Sequence, residues 1–189
     1  MTTLHLAQEP PLAGDEVAAM IGSLNRMRGY LLWKCSGLDA DGIRATIPSS
    51  TLSLGGLLKH AAVVEAITLS WKLHGRAPFP PFDQADWDDQ DWHLRVEDDD
   101  TPESLERLFV ESVAQGQALL DEAIAAGGLD FEADLQDDEG RHPNARRLVY
   151  DLLEEYGRHV GHADLVRESV DGLVGEDPAP GTFPGVYEV

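Results

Sequence analysis

The chain has 189 residues, 42% of them hydrophobic, and a formal net charge of −21 from 35 acidic and 14 basic residues. Its length suits a single domain, 1–189, with a substantial core. So acidic a surface repels phosphate backbones and anionic lipid, which excludes nucleic acid and membrane as expected partners.

No apolar run approaches the roughly 20 residues of a membrane span. The opening MTTLHLAQEPPLAGDE lacks a basic start followed by an apolar stretch, so no secretory leader is read and a cytoplasmic location is expected. Residues 1–14 are expected to be extended. The first helix is predicted from about Asp15 to Leu38, on a stripe of Val17, Met20, Ile21, Leu24, Met27 and Leu31. It carries Cys35, the single cysteine, so an intrachain disulfide and a multi-thiolate zinc site are excluded. Cys35 falls on the apolar side and reads as a small buried hydrophobe. The second helix is predicted from about Thr51 to His74, with Leu54, Leu57, Ala61, Val64 and Thr68 inward and Gly75 as its stop.

Arg76 to Asp100 has no helical period. It is too long for an ordinary connection and holds Phe79, Phe82, Trp87 and Trp92, so it is expected to pack as a lid or crossover over one end of the bundle. Thr101, Pro102 and Glu103 then mark a helix start, and Gly127 and Gly128 its end. The fourth helix is predicted from Asn144 or Ala145 to Gly172, about 40 Å long. Residues 176–189 are expected to be extended. Four long helices, with the crossover between the second and third, predict an all-α four-helix bundle.

The fourth helix is unusual. On a wheel advancing about 100° per residue, Leu148, Leu152, Val166 and Val170 define its buried face, and Glu155, His159 and His162 fall within about 40° of the same line. An unpaired buried carboxylate costs several kcal/mol, so the charge must be paired or must hold a cation. Glu155 and His159 are spaced i, i+4, which lets one ion touch both. His60, flanking the inner face of the second helix, is the candidate third ligand of a divalent metal. His74, His93 and His142 fall at a helix end or in loops. Gly157 and Gly161 lie on the far side of the fourth helix. They are either tolerated exposed glycines or the seat of another helix, such as that of a second subunit in a homodimer.

The blocks TLSLGGLLKHAAVVE around His60 and LLEEYGRHVGHADLVRESVDG around His159 resemble the DinB-like superfamily, in particular its branch of mycothiol-dependent transferases and maleylpyruvate isomerase. The resemblance covers roughly Asp15 to Gly175. It implies a four-helix bundle holding a divalent metal, zinc first, with nickel, cobalt or iron as other candidates. It assigns the ligands to His60, Glu155 and His159. Many relatives have histidine where Glu155 stands, and the Glu–His pair matches the maleylpyruvate isomerase pattern. His162 resembles a further histidine near the site, expected either to support the ligands or to act as acid or base.

With two histidines and a carboxylate leaving coordination positions open, the expected activity is a metal-dependent thiol S-transferase. A low-molecular-weight thiol such as mycothiol, activated as the thiolate, would attack an electrophile under the crossover. Arg158 would either pair with a substrate carboxylate or make a surface ion pair. Trp71, on the same side of its helix as His60, would either wall the pocket or fill core. The same ligand set also suits ferrous oxygen chemistry or zinc hydrolysis. A bundle that binds a small molecule without catalysis is the remaining alternative.

Overall fold

The computed structural model describes residues 3–89, 91–183 and 185–188. Helix α1 (Glu16–Cys35) starts at Asp15, whose carboxylate accepts from the Ala18 amide at 2.8 Å. That bond satisfies one of the amides a helix start leaves without a partner. A short α2 (Ala40–Arg44) follows, too brief to show a period in sequence. Helix α3 (Leu54–Glu65) begins later than the predicted Thr51 because Ser53 takes the cap, accepting from the Gly56 amide at 3.1 Å. It continues directly into a π-helical segment, Ala66–Lys72.

Helix α4 (Pro102–Gly127) opens with a reciprocal pair of bonds between Thr101 and Ser104 and ends at Gly128, whose φ is +65°. Helix α5 (Ala145–Asp171) starts at Asn144 and ends at Gly172 in the left-handed region, φ +77°. Its bounds are those the sequence predicts. The fold is the expected all-α bundle: α5 lies against α1 and α3, and α4 packs on α3 and its π extension. Leu31, Leu57, Phe109, Val113, Leu152 and Val166 lie in the core between them. Cys35 is fully buried there, and burial pushes its thiol far above the ordinary range, as suits a packing residue.

The two tails differ from simple extended chain. Strand β1 (Thr3–His5) pairs antiparallel with β2 (Val186–Glu188), Leu4 facing Tyr187, and Leu4 and Leu6 are buried. Strands of three residues carry too little pattern to be read in sequence. Around Gly157 and Gly161 the space is open: an added Cβ would meet nothing within 4 Å.

The crossover packs, as its aromatic residues foretell. Phe79 and Phe82 are buried, Trp92 lies 6.3 Å from Phe82, and Trp87 sits edge-on to Trp92 while remaining 44% exposed. Single 3₁₀ turns form at Phe82–Gln84 and Trp92–Leu94. The second turn is seated on α3 at Gly56, where a Cβ would lie 2.2 Å from the Leu94 carbonyl oxygen. Only glycine admits backbone that close. Lys59 and Arg44 hold the next residues by hydrogen bonds to the carbonyls of Arg95, Glu97 and Asp100.

One buried polar network joins the long helices. The Arg28 guanidinium on α1 donates two bonds to the Glu65 carboxylate on α3, at 2.8 and 2.7 Å, and a third to Gln117 Oε1 on α4 at 2.9 Å. Tyr156 on α5 donates to Glu65 Oε1 at 2.7 Å. Arg28 and Glu65 are 0% exposed. Burial, and next the Glu65 charge, keep the Tyr156 phenol well above its ordinary pKa, so it stays a donor. Gly116 leaves room for the carboxylate, since a Cβ there would lie 2.7 Å from Glu65 Oε2.

A charge stranded in this core is expensive. Glu65→Gln is expected to lower stability by roughly 3–5 kcal/mol, because it leaves the Arg28 charge without its counter-ion. Gly116→Ala, which crowds the same carboxylate, is expected to destabilise by a smaller amount. Urea unfolding of the two variants checks both.

Candidate metal centre

The buried network sets the rotation of α5 through Tyr156, and Glu155 is its neighbour. One turn further along α5 is His159; across the cleft, on α3, is His60. The His60 Nε2 lies 2.9 Å from Glu155 Oε1, and the His159 Nε2 lies 3.2 Å from the same oxygen. The two rings are 4.6 Å apart between centroids and set edge to face. One donor atom from each of the three residues falls within 4.8 Å of the others. All three side chains are half-buried. The cleft, closed by Leu31, Ala61, Val64 and Tyr156, has a volume of about 10 Å³. That is room for one small ion or water and not for an organic molecule.

The donor set fits a divalent metal: two imidazole nitrogens and one carboxylate oxygen converge on one point, with the mouth of the cleft open for further ligands. The local electrostatics agree. Burial raises the Glu155 carboxyl, but hydrogen bonding from His60 and the charges of His159 and His60 outweigh it, so the group lies below its ordinary pKa and stays ionised. His159 is lowered by burial first and by neighbouring His60 next, which favours the neutral, ligating imidazole.

Both histidines present Nε2 to the shared point and Nδ1 to a second imidazole. His60 Nδ1 lies 3.1 Å from His93 Nδ1, and His159 Nδ1 lies 3.3 Å from His162 Nδ1. A ligating histidine commonly donates its other N–H to a carboxylate, backbone carbonyl or water, which fixes tautomer and orientation, and here a second imidazole stands in that place. The sequence reading passes over His93 as a loop residue. Gly56 is the signal that could have found it: it lies one turn before His60 on the same face, and it seats the turn that carries His93.

The remaining candidates lie elsewhere. His162 stands behind His159 and is not among the residues lining the cleft. Arg158 is exposed, with no ion pair among the described residues, so it neither enters the cleft nor makes a surface pair. Trp71 is 53% exposed; it neither walls the cleft nor fills core. The reason is the π segment. At about 100° per residue Trp71 would fall some 20° from His60, but a π stretch takes one more residue per turn and lags by roughly 100° over its length. The indole is carried out to solvent.

Zinc added to metal-free protein is expected to raise the melting temperature, by the equivalent of about 2.7 kcal/mol at a hundredfold excess over Kd. His60→Ala should abolish that rise. His93→Ala should keep the fold and weaken zinc affinity by roughly ten- to a hundredfold. The zinc effect should fade in acid, and because burial holds the His159 pKa below its ordinary value, protons compete for that ring only below about 6.5. Thermal melts with zinc across a pH series, together with competition against a chelator of known affinity, read all of these.

Among the described residues no helix is long and apolar enough to cross a membrane. No curated protein matches the chain. A family profile, that of mycothiol S-transferases, matches residues 19–172, a stretch that spans α2 to α5, most of α1, and every residue of the cleft. The chain belongs to the mycothiol S-transferase family.

Proposed function

We propose that the protein transfers a low-molecular-weight thiol, mycothiol first, onto an electrophilic carbon, with a divalent cation held by His60, Glu155 and His159. The observation that carries this reading is the convergence of those three donors on one point, within a chain of this family. Zinc is the preferred ion, because two imidazoles and a carboxylate with open positions match its catalytic sites. When bound, the cation supplies positive charge that favours thiolate over thiol near neutral pH.

The chain's own residues set the geometry. Glu155 carries the negative charge that holds the cation and keeps His60 and His159 aimed at the same point. His93 and His162 hold the Nδ1 edges of those rings, so the ligands are already oriented. We assign His162 this positioning role, because it meets the back of His159 and not the cleft. The crossover, seated at Gly56, covers the His60 side and limits water there. In the reaction the thiol gives its proton to solvent, and the sulfur forms a bond to the electrophilic carbon. The bond to the leaving group breaks, and its electron pair departs with that group. Such a detoxifying conjugation belongs in the cytoplasm, where the thiol is kept reduced.

The test is a conjugation assay with zinc-loaded protein, mycothiol and monobromobimane. The expected result is a rate above the uncatalysed reaction, lost in His60→Ala and in Glu155→Gln. In His162→Gln a positioning role predicts weaker zinc binding with an unchanged pH profile, whereas an acid or base would remove one limb of that profile. No acceleration with mycothiol or any common cellular thiol would overturn the reading. Oxygen consumption by an iron-loaded sample would replace it with ferrous chemistry.

A further inference from the structure

The cleft is too small for the organic substrate, and the space beside it is not. Past Glu155, a groove of about 400 Å³ runs between the π segment and α5. Thr68 and Lys72 line one wall, and Arg147, Asp151 and Glu155 line the other. The groove continues into a second hollow of about 450 Å³, which Lys72, Arg147 and Asp151 also line.

The charges in the groove do not cancel once Glu155 is committed to a cation. Arg147 is paired with Asp151 at 2.7 Å. Lys72 is half-buried, and its ammonium has no ion pair or hydrogen bond among the described residues. This is notable in a chain with 35 acidic residues and three lysines, Lys34, Lys59 and Lys72, since the other two are engaged by carboxylates. The π segment is what brings Lys72 there. In an unbroken α-helix Lys72 would point about 120° away from His60; the lag of roughly 100° returns it to the His60 side, in the direction Trp71 would otherwise hold. A widened turn at this point is a common mark of a functional site.

We propose that this groove binds the electrophilic substrate, and that the substrate is a carboxylate whose anionic end is received by Lys72. Lys72 lies eight residues beyond Val64 of the cleft, so the carboxylate stands on the order of 10 Å from the reacting carbon. The groove therefore selects elongated acids over neutral or short electrophiles. Arg158, the residue the sequence offers for this task, lines neither hollow. The assignment rests on the transferase reading.

The experiment compares 4′-(bromomethyl)biphenyl-4-carboxylate with its methyl ester, using zinc-loaded protein and mycothiol. Wild-type protein should prefer the acid. Lys72→Met, which keeps the stem and removes the charge, should lower kcat/KM for the acid about tenfold more than for the ester, and Lys72→Arg should restore much of the difference. Biphenyl-4-carboxylate, which cannot react, should bind the wild-type protein in calorimetry without thiol and bind Lys72→Met at least tenfold more weakly. Equal losses for acid and ester, or a change in the KM for thiol alone, would overturn the assignment. If neither electrophile turns over while the unreactive acid still binds through Lys72, the transferase reading fails and the anion site stands.

Discussion

The structure depends on one ion pair, the one pair among the described residues with both side chains fully buried. Arg28 and Glu65 are wholly removed from water, and every donor around Glu65 comes from a different helix. Taking two charges into a low-dielectric interior is costly, and apolar residues of the same volume would serve stability at least as well. What the pair provides is orientation. Glu65 has two oxygens, and Arg28 and Tyr156 occupy them in one arrangement only. A rotation of α5 about its axis would break the phenol bond and leave the buried carboxylate short of one of its donors. Since Glu155 is the neighbour of Tyr156, the clamp that fixes the bundle also fixes the carboxylate at the candidate metal centre.

The centre is built in two layers with different supports. Glu155, His159 and His162 belong to one rigid helix and need only its rotation to be right. The His60 side is composite: His60 comes from α3, while His93 comes from a connection whose placement depends on Gly56. The arrangement ties a long crossover to the orientation of His60, a candidate metal ligand. It also explains why this segment, rich in acidic residues, carries aromatic side chains. Phe79, Phe82 and Trp92 hold the turn down against the apolar core.

Much of this was legible in the sequence. Helical period and cap residues located α1, α4 and α5 to within a few residues, because Asp15, Thr101 and Asn144 and the terminal glycines have local physical roles. Glu155 and His159 were legible for another reason: a polar residue inside an apolar stripe has to be accounted for. What escaped was non-local or too short. The Arg28–Glu65 pair joins residues far apart in the chain, and each alone looks like an isolated charge in an apolar stretch. The tail strands are too brief for a pattern. Trp71 was misplaced because a helical wheel assumes constant twist, and nothing in AITLSWK announces that the twist changes.

That change of twist lets the helix take in one residue more than an ordinary coil would over the same turn. Deleting one position within Ala66–Lys72 would restore an ordinary coil and leave Lys72, then eleven positions from His60, facing as it does now, whereas closing the widened turn at unchanged length would bring Trp71 to that place. Local twist, and not length, thus decides whether an indole or an ammonium overlooks the groove, while His60 upstream keeps its place.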